Sequence, residues 1–290
     1  MRADRINYVI ILTGACILKH ILHIITNSGG GPLNLFAKND WIATLPPNVV
    51  RITRPAGQSP VLLVCEHASS FIPEGLKQLG LEDLAAQSHI AWDPGALAVA
   101  EQLSTSLDAP LIAQKISRLV YDCNRPPSSE EAIRAESEVF HIPGNAGLNA
   151  DQRAAREDYI YRPFQKALAE QVQERAQTVL VTIHTFTPVY NGEARAVEVG
   201  ILHGTDNRLA DAMLDAAAKN PGFKTERNMP YGPEDGVLHT LIEHAEPRGL
   251  LNVMIEIRND LVADEEKVTM VALWLQNILT SALSAVDEDR

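Results

Sequence analysis

Val61-Leu62-Leu63-Val64-Cys65-Glu66-His67 and Val179-Leu180-Val181-Thr182-Ile183-His184 are two short, almost wholly apolar runs, and each ends in histidine. Apolar runs of this length and composition read as central strands of a parallel-type sheet, buried on both faces. In open α/β sheets, ligands bind just beyond the carboxyl ends of such strands. Neutral imidazole is the commonest metal ligand, so two histidines delivered to one sheet edge are where a metal site would begin. Taken singly, each histidine reads equally well as a hydrogen-bonded strand end.

Outward from these two runs, strand-like and helix-like segments alternate. Further strands are expected at 49–53, 110–114, 119–123, 196–203 and 251–257. Helices are expected at 95–107, at 151–177 with a kink at Pro163, at 206–218 behind a Thr205 cap, and at 233–245. A last helix over 264–286 repeats Val268, Val271, Leu275, Ile278, Leu279, Ala282 and Leu283 as a stripe to pack on the sheet. This order predicts one α/β domain over residues 45–290, with three layers and a mixed, mostly parallel sheet between helices. Residues 126–147 are the least regular stretch and read as a long loop, equally a functional loop over the sheet edge or a plain surface excursion.

A hydrophobic share of 46% with 21% charged residues is that of an ordinary soluble globular protein. The net charge of -12 excludes nucleic acid or an anionic membrane surface as the expected partner, because phosphate rewards clustered Lys and Arg. Cys16, Cys65 and Cys123 form no disulfide framework and no CxxC pair, which favours a reducing, cytoplasmic setting and leaves any metal to His and carboxylates. The N-terminus stands apart. An apolar stretch, Tyr8 to Leu18, follows Arg2 and Arg5, but Lys19 and His20 interrupt it and no A-x-A cleavage site follows. It reads as a poor signal, an interfacial anchor or a start assigned too far upstream. The last is favoured, and 1–44 is set apart as an extension.

Several polar residues fall at the same predicted edge. Arg118 opens the 119–123 run, and Asn124 with Arg125 closes it before Pro126-Pro127. The planar fork of Arg125 suits a carboxylate; a weak surface ion pair is the alternative for both arginines. Glu256 interrupts the apolar 251–257 run, where an ionisable group is costly unless paired or used. It is read as a general base beside a metal, or as the partner of Arg258 or Arg118. Asp93 stands where a helix starts, as an N-cap or as a carboxylate ligand. Glu66 is another candidate ligand, but strand alternation turns it away from the face that His67 uses; Asp122, by the same alternation, faces either the core or the site. Tyr231, in Asn-Met-Pro-Tyr-Gly-Pro, is carried over a pocket or belongs to a simple turn.

The ordered set CEHASS (with His67), AWDPGA, SRLVYDCNRPP, IHTFTP, NMPYGP and IEIRNDL resembles the N-formylglutamate amidohydrolase family over roughly residues 45–285. The resemblance implies a fold like that of the zinc carboxypeptidases and aspartoacylase. It implies that His67 and His184 bind Zn2+ or another divalent metal and that Glu256 handles protons. By the same resemblance Arg118 polarises the scissile carbonyl, and Asn124 with Arg125, below Tyr231, holds the carboxylate of a small-molecule substrate. The relatives take two ligands from His-x-x-Glu, but Ser70 stands three residues after His67. Asp93 is therefore the expected third ligand. The implied reaction is hydrolysis of N-formyl-L-glutamate, or another N-acyl acidic amino acid, to the free acid and amine. Two alternatives stand beside it: a hydrolase of another N-acyl amino acid or peptide-like carboxylate, and a metal-free binding protein on the same fold.

Overall fold

The computed structural model describes residues 39–175 and 178–288. The apolar stretch from Tyr8 and Cys16 lie outside these. Seven strands form the central sheet: β1 (Val50–Thr53), β2 (Val61–Cys65), β3 (Leu111–Gln114), β4 (Val179–Phe186), β5 (Val199–Leu202), β6 (Thr225–Arg227) and β7 (Asn252–Arg258), in the order β1-β3-β2-β4-β7-β5-β6. Four of its neighbouring pairs are parallel and two antiparallel, so the sheet is mixed and mostly parallel. Strand β6 carries no apolar run, which is why periodicity misses it.

Alternation sends the side chains of β2 to two different cores. Val61, Leu63 and Cys65 pack with α1 (Ala96–Leu107), α4 (Arg208–Lys219) and α6 (Glu265–Glu288). Leu62 and Val64 pack on the other face with α3 (Arg162–Gln173), α5 (His239–His244) and the 116–142 region. All five residues of β2 are inaccessible to solvent. Burial of each large aliphatic side chain favours the fold by roughly 1.5–3 kcal/mol, which is why apolar runs win these positions. Helix α6 is long and apolar enough to cross a membrane by length and composition. Its stripe from Val268 to Ala282 is instead buried in the first core.

The chain leaves β2 through α1 on one face to reach β3, and returns through α2 (Ala150–Arg156) and α3 to β4 on the other side of β2. The crossovers diverge at the β2/β4 boundary. That is a topological switch point, and it opens a crevice at the carboxyl ends of those two strands.

The 119–123 run is no strand. It is a buried turn whose backbone groups are satisfied locally: Leu119 N donates to Ser117 Oγ (3.1 Å), Val120 N to the Ser117 carbonyl (2.9 Å) and Asp122 N to the Ala132 carbonyl (2.8 Å). Arg118 and Arg125 therefore sit on a turn and not on strand ends. The expected long helix is divided into α2 and α3 by a π-turn over Glu157–Tyr161, directly before Pro163. Thr205 does not cap α4; the Asp206 carboxylate accepts from Arg208 N (3.1 Å). The 233–245 helix is a 3-10 turn, Pro233–Asp235, followed by α5. The 126–147 loop holds two 3-10 turns and a two-residue hairpin, Glu136–Ser137 with Phe140–His141.

Gly95, in the left-handed region at φ +85°, starts α1, and a Cβ there would lie 2.4 Å from Val262 Cγ2. Gly95→Ala is expected to cost about 2–4 kcal/mol, from left-handed strain plus overpacking. Urea unfolding measures it, and an unchanged midpoint would contradict the close contact.

Candidate metal and substrate site

His67 lies two residues beyond β2, and His184 lies inside β4 near its carboxyl end. The turn holding Asp93 is tied to the first of these by a bond from Asp93 N to the His67 carbonyl (2.9 Å). Asp93 does not cap α1 with its side chain. Its Oδ2 lies 3.2 Å from His67 Nδ1 and 3.0 Å from His184 Nδ1, while the two Nδ1 atoms are 3.2 Å apart. The three side chains are buried.

The outer nitrogens face carboxylates. His67 Nε2 donates to Asp122 Oδ1 (2.7 Å), and His184 Nε2 stands 3.1 Å from Glu66 Oε2. The second pair is at ion-pair distance without hydrogen-bond alignment. Because β2 ends at Cys65, Glu66 is free of the alternation that would turn it away from this group. With carboxylates on the outer nitrogens, each Nδ1 is aimed at the Asp93 oxygen and shares with it a proton or, in the proton's place, a metal ion. Three electron-rich atoms at such separations need a cation between them. A tetrahedral zinc site with bonds of about 2.0–2.1 Å has edges of about 3.3–3.4 Å, so the donor set fits a divalent metal in type and in spacing.

The electrostatics agree. Burial raises the pKa of the Asp93 carboxyl, but the charge of His67, hydrogen bonds from His184 and His67, and Arg118 together hold it well below the usual range. Burial likewise opposes ionisation of Asp122, and Arg118 and then His67 overcome it. Burial favours neutral His184, but Glu66 and Asp93 outweigh that and pull a positive charge to the site. A metal ion would answer the same pull.

Arg118 is built into this group. It donates to Asp93 Oδ1 (3.3 Å) and to Asp122 Oδ2 (2.7 Å) while lining the cavity. Glu256 lies in register with His184 across the parallel β7/β4 pair, so both side chains leave the same face. On its other side it faces Gly200, where a Cβ would meet the Met229 carbonyl at 1.8 Å. Arg258 pairs with Asp260 and Glu198, and no ion pair joins Glu256 to Arg258 or Arg118 among the described residues. Burial pushes the Glu256 carboxyl up to about 7; His184 offsets part of this and Asp93 adds to it.

A cavity of about 270 Å³ stands over this group, lined also by Arg125, Arg134 and Tyr231. Arg125 donates to the carbonyls of Asp235 (3.0 Å) and Gly236, its Nε is buried without a partner, and it has no carboxylate partner among the described ion pairs. Asn124 spends both ends of its amide on backbone, donating to the Val237 carbonyl and accepting from Thr240 N (3.0 Å). That is a clamp between two loops. Tyr231 accepts from Arg195 Nη1 (3.0 Å), whose guanidinium lies 4.9 Å from its ring and 4.6 Å from that of Tyr190. Burial raises the Tyr231 phenol to about 12, so it stays neutral. Sequence reading left Asp122 open between core and site and set Glu66 aside on strand alternation; the structure brings both against the outer histidine nitrogens.

A sequence profile of the N-formylglutamate amidohydrolase family matches residues 59–263. The crystal structure of gene product Atu2144 from Agrobacterium tumefaciens is 51% identical, with a TM-score of 0.81, covering 83% of this chain and 96% of that one. The crystal structure of N-formylglutamate amidohydrolase from Ralstonia eutropha JMP134 shares the fold at 17% identity and a TM-score of 0.57, covering 83% and 99%. No curated protein sequence is significantly similar to the chain.

Purified protein titrated with zinc is expected to take up one ion per chain, and His67→Ala or Asp93→Ala to lose it. Asp122→Asn should keep the ligands and weaken affinity about 10–100-fold, as loss of an outer partner does. Elemental analysis and competition with a chelator measure both. Wild-type affinity in Asp93→Ala would remove Asp93 from the ligand set.

Proposed function

Since the chain belongs to the N-formylglutamate amidohydrolase family, we propose that this amidohydrolase depends on a divalent metal, zinc foremost, and cleaves the N-formyl amide of N-formyl-L-glutamate to formate and L-glutamate. The observation that carries the reading is the meeting of His67 Nδ1, His184 Nδ1 and Asp93 Oδ2, with Glu256 in register one strand away. The metal-free binder drew its support from Ser70. Asp93, beside both histidines, supports the reading that the carboxylate Ser70 does not supply comes from elsewhere in the chain.

When bound, a divalent cation such as zinc supplies Lewis acidity, polarising a carbonyl and lowering the pKa of water toward neutrality. The chain's own groups do the rest. Asp122 and Glu66 orient the two histidines. Glu256 takes a proton from the attacking water and delivers it to the amine nitrogen as the C–N bond breaks. Its partnerless Oε2 and raised pKa suit both transfers near neutral pH. Arg118 offers its cavity-facing side to the oxygen that gains charge in the transition state. Arg125 takes the substrate α-carboxylate, because its charge has no carboxylate partner. A substrate without that group leaves the Arg125 charge with backbone carbonyls alone and its Nε without a partner, so the site disfavours it. Tyr231 walls the same cavity as a neutral phenol. Asn124, which also lines the cavity, fixes the loop that carries Arg125 against the 237–240 segment.

Glu256→Gln is expected to lower kcat by about 10²–10⁴-fold with metal content intact, read as formate released from N-formylglutamate. Wild-type turnover would remove Glu256 as the base.

The pH dependence has a definite sign. A base with a raised carboxyl pKa works only when ionised, so kcat/KM should climb as pH rises toward about 7, and at lower pH if a nearby cation favours the carboxylate. A rate independent of pH from 5 to 8 would contradict the assignment. In the metal-free protein, Glu256 costs stability as pH rises from its ordinary 4.5 to about 7, because the native state holds the proton longer. Glu256→Gln should therefore be the more stable form at pH 8 in thermal unfolding.

A further inference from the structure

Arg134 is the one guanidinium lining the cavity for which neither sequence pattern nor the reaction has yet given a task. It comes from the irregular loop after Ser129, and its place is set by buried polar groups. Asn145 Nδ2 donates to both the Arg134 carbonyl and the Leu119 carbonyl, each at 2.8 Å. Asn145 Oδ1 accepts in turn from Arg156 Nη1 (2.6 Å), on a side chain that also holds the Val120 and Gly144 carbonyls. Asn145 and Arg156 are both buried. A further bond, Asp122 N to the Ala132 carbonyl, joins the segment carrying Arg125 to the one carrying Arg134. Two loops are thus pinned together so that Arg118, Arg125 and Arg134 face one small cavity.

Carboxylates line the cavity too, Asp93, Asp122, Glu131, Glu138, Asp235 and Glu256, so what matters is which guanidinium they leave available. Arg118 is neutralised by Asp93 and Asp122. Arg134 has one partner, Glu131, three residues earlier at 2.6 Å, and that carboxylate is 59% exposed. An exposed pair of this kind is weak and exchanges readily for a better ligand. Burial, and after it the charges of Arg118 and Arg125, lower the pKa of Arg134, which is the mark of cations crowded together.

We infer that Arg134 is a specificity-determining residue that binds a second carboxylate, so that the site selects N-acyl amino acids whose side chain is itself acidic. The inference rests on the proposed function: Arg125 takes the α-carboxylate, and Arg134 leaves Glu131 to take the carboxylate at the end of the substrate side chain. The planar fork of a guanidinium suits that group, whereas a methyl-ended side chain leaves Arg134 with Glu131.

The test compares kcat/KM for N-formylglutamate with that for N-formylnorvaline, whose side chain ends in methyl, in wild type, Arg134→Met and Arg134→Lys. In parallel, calorimetry of the zinc-loaded protein measures binding of glutarate against butyrate, neither of which can be hydrolysed as an amide. Arg134→Met should lower both the substrate ratio and the glutarate affinity by about 10–100-fold, with Arg134→Lys between it and wild type. Ratios and affinities unchanged in a folded Arg134→Met or Arg134→Lys protein would overturn the inference while leaving the amidohydrolase reading intact. Glutarate binding that depends on Arg134, without hydrolysis of any N-formyl amino acid, would keep the residue's role and overturn the proposed substrate.

Discussion

Two imidazole nitrogens and one carboxylate oxygen converge on one another at the buried floor of the cavity. Each is an electron-rich atom, and burial makes their mutual repulsion severe unless positive charge stands between them. Much of the surrounding structure serves that convergence. The parallel β2/β4 pair brings the histidines to one crevice, and the Asp93 turn is tied by its backbone to His67. Gly95 lets helix α1 begin immediately after that turn, against Val262.

The same burial drives neighbouring carboxylates in opposite directions. Asp93 and Asp122 lie against Arg118 and the imidazoles, and those charges hold them ionised. Glu256 is as deeply placed but has no bonded cation, so desolvation wins and its carboxyl stays protonated to much higher pH. Partner geometry, and not residue type, sets the two directions, and on the proposed function it separates a metal ligand from a proton carrier. Two acids with pKa values forced apart inside one cavity are the ordinary mark of divided chemical roles.

The strands read well from sequence where both faces are buried: β2, β4, β5 and β7 are found to within a few residues. Those runs are apolar because every position in them is packed. The 119–123 run was deceptive for the same reason, since a buried turn with internally satisfied backbone groups is as apolar as a strand. Helix α6 was clear because its long stripe is buried in the first core against α1 and α4, while the short α5 and the polar strand β6 carry too little periodicity to be seen. Among the site residues, His67, His184, Asp93, Arg118, Arg125 and Glu256 stood out as polar groups in or beside apolar runs. Asn124 was recognised, but its contacts with Val237 and Thr240 link positions more than a hundred residues apart, which spacing cannot reveal.

Sequence by itself determined the α/β order, the two strand-end histidines and the cost of Glu256 inside an apolar strand, because each is set by local pattern and desolvation. Which atoms meet was decided only by the tertiary structure. The use of Nδ1 by both histidines, the outer carboxylates Asp122 and Glu66, and the placing of Arg134 by Asn145 and Arg156 depend on register, turn shape and loop pinning. Those are long-range distances, and a one-dimensional pattern of polarity carries no information about them.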